Sequence, residues 1–219
     1  MNAVARMALL DLRTVAPYRI QGLVLFGLLA VSLANTSPVM VLPALVLLLT
    51  SQAAAHPFMI ADKAGLETLY AVLPLSRRSV LYGRYAWALA SFLATAILGT
   101  ALALLFAHAH AVPFDGRTLA TMLTLSWALF ALSVAIQFPL FIRFGYSRVS
   151  ALGTVLPLAL IMVAVVRLHL NIATIAPLWI WLPVLWVAGV AALAASVAVA
   201  TATDRRRLPG PIRDGRAKP

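Results

Sequence analysis

Six long apolar runs, at roughly 20–34, 39–60, 85–107, 118–142, 149–166 and 178–203, are separated by short polar segments. Each approaches the ~20 residues that carry an α-helix across the hydrocarbon core of a bilayer. Within the runs the apolar residues are continuous, without the period-two alternation of β-barrel strands. The pattern predicts an all-α fold, a polytopic transmembrane bundle of about six spans. Asn35-Thr36-Ser37-Pro38 joins the first two spans. A polar turn closed by a helix-starting proline makes them a tight antiparallel hairpin with no room for an external domain.

The longest hydrophilic interruption runs from Ala61 to Tyr85, between the second and third spans. Asp62 is placed to cap a helix, Lys63 and Glu67 stand four apart, and Leu66, Leu69, Tyr70 and Leu73 follow the i, i+3, i+4, i+7 pattern. Together they predict an amphipathic helix of about three turns. Leu73-Pro74 ends it, and Ser76 caps a second helix that carries Arg77, Arg78 and Arg84 into the third span. The apolar stripe of the first helix must bury in lipid, against its own bundle, or in a groove on a partner. A second amphipathic segment opens the chain. Val4, Ala8, Leu12 and Val15 share one helical face and Arg6 and Arg13 the opposite one, as in a helix lying on the membrane surface. Asp11 falls on its apolar side, and Pro17 breaks it before the first span. The alternative is a basic leader that only sets topology.

Composition agrees with lipid as the solvent. The 219 residues are 63% hydrophobic and 11% charged, too little polar surface to cover a soluble globule. The net charge of +11 is set between apolar runs, which is membrane topology and not a nucleic-acid stripe. Of the 17 lysines and arginines, only Arg117 and Arg167 fall in segments on one side of an alternating six-span path. The others flank the N-terminus, the 61–84 loop, the turn at Arg143 and Arg148, and the C-terminal tail. The positive-inside rule then places both termini in the cytoplasm of a multi-pass protein of the inner (plasma) membrane, with its basic residues against lipid phosphates. The domain plan is an interfacial helix at 1–19, one transmembrane domain at 20–203, and a basic tail at 204–219 whose prolines and charges predict disorder. No apolar stretch with a small-residue cleavage site opens the chain, so no cleaved signal peptide is expected.

Several chemistries are excluded. The absence of cysteine removes disulfides, thiolate metal sites and cysteine nucleophiles. No Gly-x-x-x-x-Gly-Lys-Ser/Thr loop is present, so the chain holds no ATPase site of its own. All six acids, Asp11, Asp62, Glu67, Asp115, Asp204 and Asp214, fall in loops or ends, which argues against proton-coupled transport. His108 and His110 with nearby Asp115 fall short of a converging ligand set and read as interfacial residues. Gln52 and Gln137 are the polar side chains deepest in the spans, placed for an interhelical hydrogen bond or for lining a substrate path between two protomers. Trp179, Trp181 and Trp186 match an outer aromatic belt.

The order Asp62-Lys63, an amphipathic stretch, Leu73-Pro74-Leu75-Ser76-Arg77-Arg78, Val80-Leu81 and Gly83-Arg84-Tyr85 resembles the permease subunits of ABC-2 type transporters. The six-span layout, short first hairpin and N-terminal amphipathic helix resemble the compact members. The resemblance implies a dimer with a second or homologous permease, each copy engaging a separate nucleotide-binding ATPase subunit that holds the ATP and magnesium. It implies ATPase-coupling roles for Asp62, Lys63, Glu67, Leu69, Leu73, Pro74, Arg77 and Arg78. The chain departs from the family in carrying Arg84 where lysine is usual, and in its short external segment from Arg167 to Pro177. The expected activity is ATP-driven export of a hydrophobic or amphipathic substrate. A non-transporting membrane scaffold or assembly factor is the rival, and an ion-coupled carrier comes third.

Overall fold

The computed structural model describes residues 19–34, 38–63, 77–167 and 181–205. Residues 1–18 of the interfacial helix expected at 1–19, the amphipathic stripe within 64–76, the segment 168–180 with Trp179, and residues 206–219 of the tail expected at 204–219 lie outside the described residues. Helix α1 spans Arg19–Leu33. The second apolar run forms one continuous rod of three parts: α2 (Pro38–Leu45), a π-helical turn (Val46–Thr50) and α3 (Ser51–Lys63). Then come α4 (Arg77–Ala109), α5 (Gly116–Phe144), α6 (Tyr146–Arg167) and α7 (Leu182–Arg205). Among the described residues, four helical stretches are long and apolar enough to cross a membrane: Met40–Lys63, Arg78–Ala109, Gly116–Phe144 and Leu182–Ala202.

One boundary differs from expectation. Asp62, placed by sequence at the start of a loop helix, lies in the last turn of α3, because the α-helical hydrogen bonding continues through Lys63. The helix expected to carry Arg77, Arg78 and Arg84 into the third span does so without a break, from Arg77 to Ala109.

Helix α5 is the centre. It packs on every other described helix except α1, most extensively on α7 and then on α6. Met122, Phe130, Val134, Phe138 and Phe141 supply its share of the core, facing Leu42, Leu45, Val46 and Phe58 of the second rod. Helix α1 touches only α2 and the π turn to any extent and leaves Ile20, Leu23, Leu28 and Val31 exposed. In lipid such a face is ordinary solvent contact. Close helix approaches occur where a side chain is missing. A Cβ on Gly99 would meet Leu42 Cδ1, and one on Gly189 would meet the Trp127 indole. The turn from α5 to α6 depends on Gly145. Its φ of +81° lies where L side chains are strained, and its N–H caps the helix by donating to the Phe141 carbonyl at 2.9 Å.

Prolines inside spans strip hydrogen bonds from the backbone, and the bundle supplies a replacement at one of them. Pro57 has no N–H for the Ala53 carbonyl, and the Trp87 indole N–H of α4 donates to that oxygen at 2.9 Å. Trp87→Phe is therefore expected to lower stability by about 1 kcal/mol. In a Pro57→Ala background, where the restored backbone N–H can donate to the Ala53 carbonyl, the same change should cost far less. Equilibrium unfolding in detergent of the four proteins of this cycle checks it; equal costs in both backgrounds would rule out the compensation.

Candidate functional site

The two ends of the 64–76 segment are rooted in one aromatic cluster. Phe58 lies five residues before the end of α3, and Arg84 seven residues after the start of α4. The Arg84 guanidinium sits over the Phe58 ring, 4.2 Å from its centroid. A planar guanidinium stacks on a ring face as an ammonium does not, a physical reason for arginine at this position. Phe58 in turn meets Phe138 edge-on at 4.9 Å and Phe141 at 5.5 Å, and Phe141 meets Tyr146 at 5.2 Å. Tyr85 packs on Phe138 at 4.7 Å, and its hydroxyl shares a 2.7 Å hydrogen bond with Ser196 of α7. Five helices, α3 to α7, thus converge just above the loop.

Asp62 completes this cluster on the aqueous side. A carboxylate in a last helical turn faces the wrong end of its own helix dipole. Here it turns instead to the start of α6, where Oδ2 accepts the Ser147 backbone N–H at 2.6 Å. An anion there satisfies one of the orphan donors of a helix N-terminus. Lys63 and Arg78 are exposed, as are Arg143 and Arg148 at the α5–α6 turn, so the same end of the bundle carries a basic rim. Arg77 opens α4. Glu67, Leu69, Leu73 and Pro74 lie outside the described residues, so the structure brings together only the two roots of the expected coupling loop.

Gln52 and Gln137 differ in burial. Gln137 is only 2% exposed, enclosed within the protomer on α5, whereas Gln52 is exposed on the outward side of α3. Gln137 Oε1, Ser133 Oγ and Thr50 Oγ1 are buried without a hydrogen-bond partner among the described residues. Ser133 and Gln137 are one turn apart on α5, and Thr50 closes the π turn that packs on that helix. π turns open the regular hydrogen-bond ladder and recur at functional positions. The sequence carried no signal for the π turn, and Thr50 and Ser133 became notable only through their burial.

At the opposite end, Trp186 is no simple belt residue. It stacks on Trp127 at 5.0 Å and donates its indole N–H to Thr124 Oγ1 at 2.9 Å, while Trp181 is 56% exposed. Among the described residues no group of three or more His, Asp or Glu side chains could hold a metal. Asp115 is engaged otherwise, as the N-cap of α5, accepting from the Thr118 N–H at 2.8 Å and the Thr118 hydroxyl at 2.6 Å.

A sequence profile of ABC-2 family transporter proteins matches residues 7–202, nearly the whole chain. The chain belongs to this family. No curated protein and no solved structure matches it. An ABC-2 membrane subunit is a transport component, and the several long apolar helices agree with that membership.

The hydrogen bonds from Thr118, helped by Arg117, hold the Asp115 carboxyl below the ordinary carboxylate range. A group depressed in the folded state contributes its capping above its unfolded pKa and loses it as pH falls through the folded value. The protection of the Thr118 amide, its exchange rate relative to the intrinsic rate at each pH, should therefore persist at neutral pH and be lost only below the usual carboxylate range. Asp115→Ala should lower that protection at every pH. Protection at Thr118 that ignored both acid and the substitution would disprove the cap.

Proposed function

We propose that the chain is the permease of an ATP-binding-cassette exporter of the inner membrane. It spans the bilayer six times with both ends in the cytoplasm and dimerises with a second copy or a homologous permease. Separate ATPase subunits dock under residues 61–84, and the dimer moves a hydrophobic or amphipathic substrate outward. The observation that carries this reading is the family match together with the placement of the loop, whose two roots enter a cluster joining five helices at the end that bears Lys63, Arg78, Arg143 and Arg148. The positive-inside rule makes that end cytoplasmic, where an ATPase and its ATP are found.

Gln52 supports a path between protomers. It lies eleven residues from the end of α3, about 16 Å into the membrane at 1.5 Å per residue. An amide on the protomer surface at that depth is costly to leave against lipid tails. A second protomer or a passing polar group would supply its partner. Gln137, 2% exposed, is enclosed within the protomer, so of the two glutamines it is Gln52 that lies on the protomer surface. Spans without carboxylates favour amphipathic or hydrophobic cargo over small cations.

Affinity purification of the native complex tests the reading directly. An ATPase subunit at stoichiometric level is expected, and its reproducible absence would leave the scaffold alternative standing. Leu69→Asp or Leu73→Asp, each placing a charge on the apolar stripe of the loop helix, should leave the protein inserted while the associated ATPase loses its coupling. A net loss of about 1.5–3 kcal/mol for one buried leucine corresponds to a ten- to hundred-fold weaker docking. Unchanged docking by both variants, measured by co-purification yield and ATP turnover, would dismiss the stripe as the docking surface.

A further inference from the structure

The α6 helix does not adjoin the 64–76 segment in sequence, yet its first turn is held by Asp62, one residue short of the end of α3. Asp62 Oδ2 accepts the Ser147 N–H at 2.6 Å. Directly below, Phe58 contacts Phe141 at 5.5 Å and Phe141 contacts Tyr146 at 5.2 Å. A Cβ on Gly153, two turns further along α6, would meet the Phe141 ring at 2.5 Å, so that ring is seated in a notch with no slack. The other root of the segment joins the same stack through Arg84 over Phe58 at 4.2 Å. Close-packed aromatic contacts move as a body, since interiors are nearly incompressible.

Resting on the permease reading, we propose that Asp62 and the Arg84–Phe58–Phe141–Tyr146 stack are positioning residues that fasten both roots of segment 64–76 to α6. A displacement of the segment is thereby delivered to α6 as well as to the two helices it joins. Asp62 then acts on its own chain, through Ser147, rather than on the ATPase. The carboxylate aligns α6 through an N-terminal hydrogen bond strengthened by charge. The ring stack gives the motion a lever on the notch at Gly153. The π turn of the second rod lies above the stack, so the α3 part below it can tilt with the loop while α2 keeps its seat on α4 and α5.

The chain has no cysteine, so a pair introduced at positions 62 and 147 can be bridged by a short bifunctional thiol reagent, before the ATPase is added, without competing thiols. The complex with its bound ATPase is reconstituted in nanodiscs. A trifluoromethyl-phenylalanine reporter at position 155, where Val155 is 63% exposed on α6, is read by fluorine NMR with and without ATP plus vanadate. The chain with the native residues at 62 and 147 should show a nucleotide-dependent shift. Asp62→Ala should reduce it about five-fold per bound ATPase, the factor one net hydrogen bond represents in an equilibrium. The Asp62→Cys/Ser147→Cys protein should resemble Asp62→Ala when reduced and recover most of the shift when bridged. Gly153→Ala, which pushes Phe141 out of its notch, should lower the shift with Asp62 intact. A full response in Asp62→Ala, or a bridged pair that fails to recover, would overturn the relay and return Asp62 to direct contact with the partner. An absence of bound ATPase defeats the permease reading itself. A bound ATPase that gives no shift in the reporter protein with native Asp62 and Ser147 defeats the relay alone.

Discussion

Inside a bilayer every polar group of the chain must find its partner within the protein, and the described structure is organised around that requirement. Pro57 leaves the Ala53 carbonyl without its helical donor, and a tryptophan from the neighbouring span supplies one. Ser32, Ser51, Ser126 and Thr121 return their hydroxyls to carbonyls four residues earlier in their own helices. Tyr85 with Ser196, and Trp186 with Thr124, pair polar ends between helices. Helix positions are thereby fixed by hydrogen-bond geometry as much as by ridges and grooves. With lipid tails as apolar as leucine, such pairs and close small-residue contacts are what hold spans in a defined order.

Much of this fold was legible in the sequence because the governing signals are local. Length and apolar continuity give the helices, Pro38 opens α2 as its fixed φ suggests, and Arg77 to Tyr85 runs unbroken into the third span. The loop motif pointed to the family that the profile match shows. What the sequence could not convey is which face of each helix turns inward, because a span that is apolar all round has almost no amphipathic period. Gln52 and Gln137 illustrate it. They are the same residue type at comparable depth, yet one is exposed on the protomer and the other enclosed, and only packing separates them.

Asp62 was legible in importance but not in geometry. An acid beside a lysine before a polar segment reads as the start of a helix, since the pattern contains no information on a partner 85 residues away in sequence. Once α3 is seen to continue through Lys63, the same carboxylate would be misplaced at a negative dipole end if α6 did not present its N-terminal N–H groups alongside. The local rule is thus violated and repaired by a tertiary contact. A conflict between propensity and placement of this kind is expected where a residue serves more than its own helix.

The two fastened ends of the bundle frame a middle of different character. At the end that bears Lys63, Arg78, Arg143 and Arg148 the aromatic stack joins α3 to α6, and at the other end Phe92, Trp127, Phe130 and Trp186 form a second aromatic group tying α4, α5 and α7. Between them lie Thr50, Ser133 and Gln137, whose buried oxygens lack a partner among the described residues, on a π turn and on the face of α5 that packs against the rod. A regular α-helix through 46–50 would rotate everything below it by a fraction of a turn and take Phe58 away from Phe141. The irregular turn is therefore what lets one continuous rod place Leu42 against α4 above and Phe58 against α5 and α6 below. The π turn thus separates the part of the rod seated on α4 from the part held in the aromatic stack.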